Sequence, residues 1–261
     1  MIDYALVCAV ALAASLLTFF SGFGLGTLLM PAFALLFPVP LAIAATAVVH
    51  LANNLFKTSL VGRHADRHVA LRFGVPAVLA AFAGAALLGL ASTWPALGSW
   101  APFGTELVIR PVNLVIGVVI IGFALFELHP ASARLAFPRR WLPLGGVLAG
   151  FFGGLSGHQG ALRSAFLIKA GLDKRAFVAT GVLVAVGVDV ARLVVYGTGT
   201  IAASLAAEPR LPGLVAAACV AAFIGAWIGN RLLDKLTLAT LQWFVGVGMV
   251  LVGAGLAVGL I

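Results

Sequence analysis

Two glycine-rich stretches decide the fold: Ser21-Gly22-Phe23-Gly24-Leu25-Gly26, and Ser156-Gly157-His158-Gln159-Gly160. Each interrupts a run of apolar residues. Glycine weakens a helix, so each stretch reads as a break between two short helices. The setting is a 261-residue chain that is 62% hydrophobic and only 9% charged, with mean hydropathy +1.16. A soluble domain carries about 25% charged residues. Apolar segments recur at roughly 4–20, 23–38, 41–61, 73–91, 108–128, 143–157, 160–172, 176–197, 211–230 and 238–260. The longer ones suffice to cross a hydrocarbon core of about 30 Å. The expected fold is all-α, a polytopic transmembrane bundle forming a single membrane domain over 1–261.

The two breaks expose an internal repeat. Ser21-Gly22 aligns with Ser156-Gly157 at an offset of 135, Ala45-Thr46 with Ala179-Thr180 at 134, and Asn54 and Lys57 with Asp189 and Arg192 at 135. Repeat one is placed at 1–128, a cytoplasmic linker at 129–142 and repeat two at 143–261. Each repeat reads as a glycine-broken hairpin followed by three spanning helices.

Basic residues orient the repeats. If each broken pair crosses once, Lys and Arg in the connections divide seven against six. If each pair is a hairpin entering and leaving on one side, the second repeat is inverted. Arg63, Arg67, Arg72, Arg134, Arg139, Arg140, Lys169, Lys174, Arg175, Arg231 and Lys235 then share a side, against Arg110 and Arg210. Eleven against two satisfies the positive-inside rule, with both termini outside. Hairpins of half depth and of full depth give the same parity. The net charge of +8 is thus topological and forms no nucleic-acid stripe. Met1-Ile2-Asp3-Tyr4 has no basic n-region, so no cleaved signal peptide is expected. Cys8 and Cys219 lie in apolar segments and suggest neither disulfide nor metal.

Inverted, glycine-broken segments point to a transport site near the midplane. Backbone freed from helix pairing must line a polar cavity or be buried in protein. The second leg of each hairpin starts a helix whose N-terminus favours an anion. Candidate binding residues are Ser21, Gly22 and Gly24 at the first break, and Ser156, Gly157, His158 and Gln159 at the second. Thr46, His50, Asn53 or Asn54, and Lys57 form a polar stripe on one helix, with Asn54 and Lys57 matched by Asp189 and Arg192, and Thr46 by Thr180, on its equivalent. Arg163, five residues past His158, suits an oxyanion through its planar fork. Each cation has a plainer reading: Lys57 snorkels to the interface, Arg192 pairs with Asp189 for packing, and Arg163 locks the hairpins or snorkels. His158 and His50 are proton-relay candidates or neutral hydrogen-bonding groups. Glu127 reads as interfacial, and Trp94, Trp100 and Phe103 as an outer aromatic belt.

Three chemistries are excluded by pattern. Gly22-x-Gly24-x-Gly26 lacks a βαβ setting for a dinucleotide, no nucleophile elbow is present, and no metal-ligand spacing occurs. An enzyme is therefore not expected, and no cofactor is called for. The functional alternatives are a transporter, an anion channel, or a non-transporting membrane sensor or scaffold.

The motifs Ser21-Gly22-Phe23-Gly24-Leu25-Gly26 with Pro31, Ala45-Thr46, Gly153-Gly154-Leu155-Ser156-Gly157 and Ala179-Thr180 resemble those of the sulfite exporter TauE/SafE family of bacterial membrane proteins. The resemblance spans nearly the whole chain. It implies an inner-membrane exporter of small sulfur anions such as sulfite, thiosulfate, sulfoacetate or sulfolactate. Arg163 is expected to bind the anion, with Lys57 or Arg192 along the route. Lipid, a coupling proton and a second copy of the chain are partners compatible with this reading.

Overall fold

The computed structural model describes residues 2–17, 25–102, 106–129, 135–232 and 239–260, excepting the side chains of residues 200, 232 and 239–245. Ser21, Gly22, Gly24, Phe103, Arg134 and Lys235 lie outside the described residues. The architecture is an all-α bundle. The helices are α1 (Ile2–Leu17), α2 (Leu25–Ala34), α3 (Val39–Val61), α4 (Arg67–Ala91), α5 (Pro111–Leu128), α6 (Leu142–Ser156), α7 (Gly160–Leu167), α8 (Lys174–Tyr196), α9 (Gly199–Ala207), α10 (Leu211–Leu232) and α11 (Ala239–Ala257). Local chemistry sets their ends. Pro opens α3, α5 and α6, where its missing N–H is no loss. Asp66 caps α4 by accepting from the Val69 N–H at 2.9 Å, and Asp173 caps α8 from Ala176 at 2.8 Å.

Among the described residues, α3, α4, α5, α8 and α10 are each long and apolar enough to cross a membrane. Two elements were not expected from the sequence: the short helix α9, and an antiparallel pair β1 (Gly98–Trp100) and β2 (Leu107–Ile109) with Ser99 opposite Val108. Trp94 and Trp100 are exposed beside this pair, and the Trp100 indole donates to the Val258 carbonyl at 2.9 Å.

Helices α3 and α8 are the most buried of the five candidate spans. They run antiparallel: His50 and Asn54 meet Asp189, while Asp66 at the far end meets Thr180. Helix α5 is antiparallel to α11, with Gly117 against Gly253 and Ala257, and Leu128 against Gly246. Helix α4 is parallel to α6, and α1 to α10. The α4–α6 contact is a glycine seam. Gly146, Gly150 and Gly154 lie on the carbonyls of Phe73, Ala77 and Ala81, leaving no space for a Cβ. Small residues at four-residue spacing allow such backbone approach in membranes.

The second break is a hairpin. Gly157 ends α6 in the left-handed conformation, φ 83°, which only glycine adopts without strain. The chain then returns as α7 along α6. Phe166 sits over Gly145 and stacks on Phe137 at 4.3 Å, and Phe137 donates its N–H to the Ala165 carbonyl at 3.1 Å. With 8 residues, α7 spans about 12 Å; α2, with 10, spans about 15 Å. Neither length crosses a hydrocarbon core.

Candidate functional site

The polar residues of α3 and α8 converge where these helices cross. Asp189 is fully buried and saturated with donors. Arg192 gives its Oδ1 two bonds, Nε at 3.0 Å and Nη2 at 2.7 Å. His50 Nδ1 donates to Oδ2 at 2.6 Å, and Asn54 Nδ2 donates to the same oxygen at 3.1 Å. Asn54 and Asp189, equivalent by the 135-residue offset, thus bond directly to one another. Beside them Asn53 accepts from Ser15 on α1 at 2.9 Å.

Arg192 is 0% exposed and reaches from this cluster to the hairpin break. Its Nη1 donates to the Gly153 carbonyl at 3.4 Å, and a Cβ on Gly157 would come within 3.0 Å of that nitrogen. The Tyr196 hydroxyl donates to the Gly154 carbonyl. The Gly153 carbonyl also accepts from the Gly157 N–H at 3.0 Å, and the negative dipole end of α6 there favours a cation. Arg192 and Tyr196 therefore tie α8 to the end of α6. The packing role for Arg192 is the one its geometry displays.

Around the break, polar groups stand unsatisfied. Gln159 is 1% exposed, and both its amide nitrogen and oxygen lack partners among the described residues. The same holds for His158 Nε2 and Thr46 Oγ1. His158 Nδ1 lies 3.1 Å from the Ser156 carbonyl and 3.2 Å from its hydroxyl, and its ring stacks on Phe123 at 5.6 Å. Ser156 in turn donates to the Phe152 carbonyl. Helix α2 meets the second break here: a Cβ on Gly26 would lie 3.1 Å from the Gly157 carbonyl and 3.7 Å from the Thr46 methyl. Thr180 is occupied differently, accepting from the Asp66 N–H at 2.9 Å.

Arg163 is the contrast to Arg192. It lies on α7, partly exposed, with its guanidinium over Gly181, where a Cβ would meet Nε at 3.2 Å. Its Nη1 is buried without a hydrogen-bond partner among the described residues. Lys57, 3% exposed rather than snorkelling, feels the Arg163 charge, as do His50 and Asp189. The open Nη1 of Arg163 is a vacant hydrogen bond that an anion can fill. The unmet donors of the break and the start of α7 lie on the same hairpin.

A family model described as Sulfite exporter TauE/SafE matches residues 7–256 of this chain. The chain belongs to the TauE/SafE family. Membership and the apolar helices make it a multi-pass membrane protein of a transporter family, whose described substrate is a small sulfur anion. Curated proteins yield no match. In this TauE/SafE chain, the structure brings His50, Asn54, Asp189 and Arg192 into one network, and Ser156, Gly157, His158 and Gln159 into the break beside it. Thr46 joins them, and Arg163 and Lys57 form a second charged group nearby.

Several participants were not singled out by sequence. Tyr196, one of 2 tyrosines, sits four residues after Arg192 on the same helix face, a spacing that could have flagged it. Phe123 and Gly181 gave no signal, since their roles arise only from contact with His158 and Arg163.

Proposed function

We propose that this TauE/SafE member is a secondary carrier that exports a small sulfur oxyanion, sulfite or an organosulfonate, across the bacterial inner membrane by alternating access. The observation that carries the reading is Arg163: a guanidinium whose Nη1 is buried without a hydrogen-bond partner among the described residues. A guanidinium inside a bilayer costs roughly 2.5–3.5 kcal/mol on insertion scales, so a buried Nη1 with no hydrogen-bond partner among the described residues is a donor free for a ligand. Sulfite and sulfonate oxygens match its fork.

We read the halves 1–128 and 143–261 as inverted repeats, with both termini periplasmic. Support comes from helices equivalent by offset, α3 with α8 and α5 with α11, lying antiparallel. Further support is that the α1–α10 and α4–α6 contacts exchange with one another under that offset, both being parallel. In such an arrangement the break residues Ser21, Gly22, Gly24, Ser156, Gly157, His158 and Gln159, with Thr46 and Thr180, border the substrate path. An inside-negative potential assists export of an anion, by about 2.3 kcal/mol per charge per 100 mV.

A thermal-shift screen of purified protein against sulfite, thiosulfate and C2–C3 sulfonates tests the reading. A bound anion raises the unfolding midpoint by mass action. The expected outcome is a shift with at least one of these anions, absent with chloride and abolished in Arg163→Ala. The same shift in the variant would remove Arg163 from the site.

A further inference from the structure

Glu127 plays no part in the anion site, yet its position is unusual. It lies at the end of α5, one turn beyond Phe123 on the same face, and Phe123 stacks on His158 at the hairpin break. Its Oε2 is buried and has no hydrogen-bond partner among the described residues. Helix α11 packs along α5, and α3, α4 and α6 touch it more lightly. Helices α6 and α11 contain no ionisable side chain, α3 contributes His50 and Lys57, and α4 contributes Arg67, His68 and Arg72. His129, two residues on, is exposed past the helix end. Beyond the Phe123 ring stands His158, whose Nε2 is likewise unpartnered.

Glu127 as a whole is partly exposed, but a carboxylate oxygen buried without cation or donor among the described residues is a costly place for charge, and a proton on it removes that cost. Water reaching it would remove the cost and let the proton go. We propose that Glu127 is the proton-binding site of the transport cycle, loaded when the end of α5 is packed as here and released to water when that end opens. The O–H bond of the carboxyl forms with a proton from one aqueous side and breaks to water on the other, so each cycle couples one proton to the anion. This rests on the carrier reading above.

The test uses the full chain in proteoliposomes, with isotopic sulfite counterflow and an entrapped pH-sensitive dye read in the same vesicles. Wild type should move protons together with sulfite. Glu127→Gln should retain counterflow and lose the proton flux. Glu127→Asp, which keeps a carboxyl, should retain both and so separates coupling from a folding defect. Proton flux undiminished in Glu127→Gln overturns the proposal, as does wild-type sulfite flux without protons, which leaves the carrier reading intact. A wild type that moves no sulfite overturns the carrier reading, and this proposal with it.

Discussion

Arg192 and Arg163 are both guanidiniums inside the helical bundle, and their surroundings differ. Arg192 is enclosed, paired with Asp189 and tied to the end of α6. Arg163 keeps an unfilled donor. Removing one partner of a buried pair strands the other charge and costs about 3–5 kcal/mol. Asp189→Ala should therefore lower the thermal midpoint sharply, because Arg192 and His50 lose their shared acceptor. Arg163→Met should leave the ligand-free midpoint unchanged or raise it. A midpoint loss in Arg163→Met equal to that of Asp189→Ala would make Arg163 structural. The Arg192–Asp189 pair was legible as an i,i+3 spacing. That His50 joins the same carboxylate from 139 positions away was not, because no local spacing encodes that contact.

At the scale of elements, the second glycine break was legible because clustered glycines weaken a helix at one point of a run whose other residues favour it; the first lies outside the described residues. The structure adds that Gly157 ends α6 by its left-handed backbone and that α7 is too short to cross. The long spans were equally legible from hydropathy. Helix α9 and the β1–β2 pair were not. Nine residues show too few turns for a helical period, and three-residue strands show no alternation. The glycine seam between α4 and α6 gives a graded test. Gly150→Leu pushes a side chain into the Ala77 carbonyl and should abolish folded protein. Gly89→Ala on the same α4 meets nothing within 4 Å and should be neutral or stabilising by about 0.5–1 kcal/mol. Fluorescence-detected size exclusion of the two variants separates these outcomes, and equal profiles would remove the seam from the account.

At the scale of the molecule, we read the basic residues as marks of one side of a bilayer rather than as a nucleic-acid signal. Inversion predicts which connections share a side. In a background without Cys8 and Cys219, single cysteines at Ala65 and Leu172 should label together from the cytoplasmic face, and those at Thr93 and Glu208 from the opposite face. Labelling of Ala65→Cys and Glu208→Cys from one side would break the inverted arrangement. The substrate was the least legible property, since an oxyanion site needs only donors and positive charge, and many anions satisfy that. The most direct measurement is counterflow of isotopic sulfite in proteoliposomes, comparing wild type with Arg163→Ala. The account predicts saturable accumulation against unlabelled sulfite in wild type and none in the variant. Absence of counterflow in wild type across sulfite, thiosulfate and C2–C3 sulfonates, or its persistence in Arg163→Ala, would contradict it.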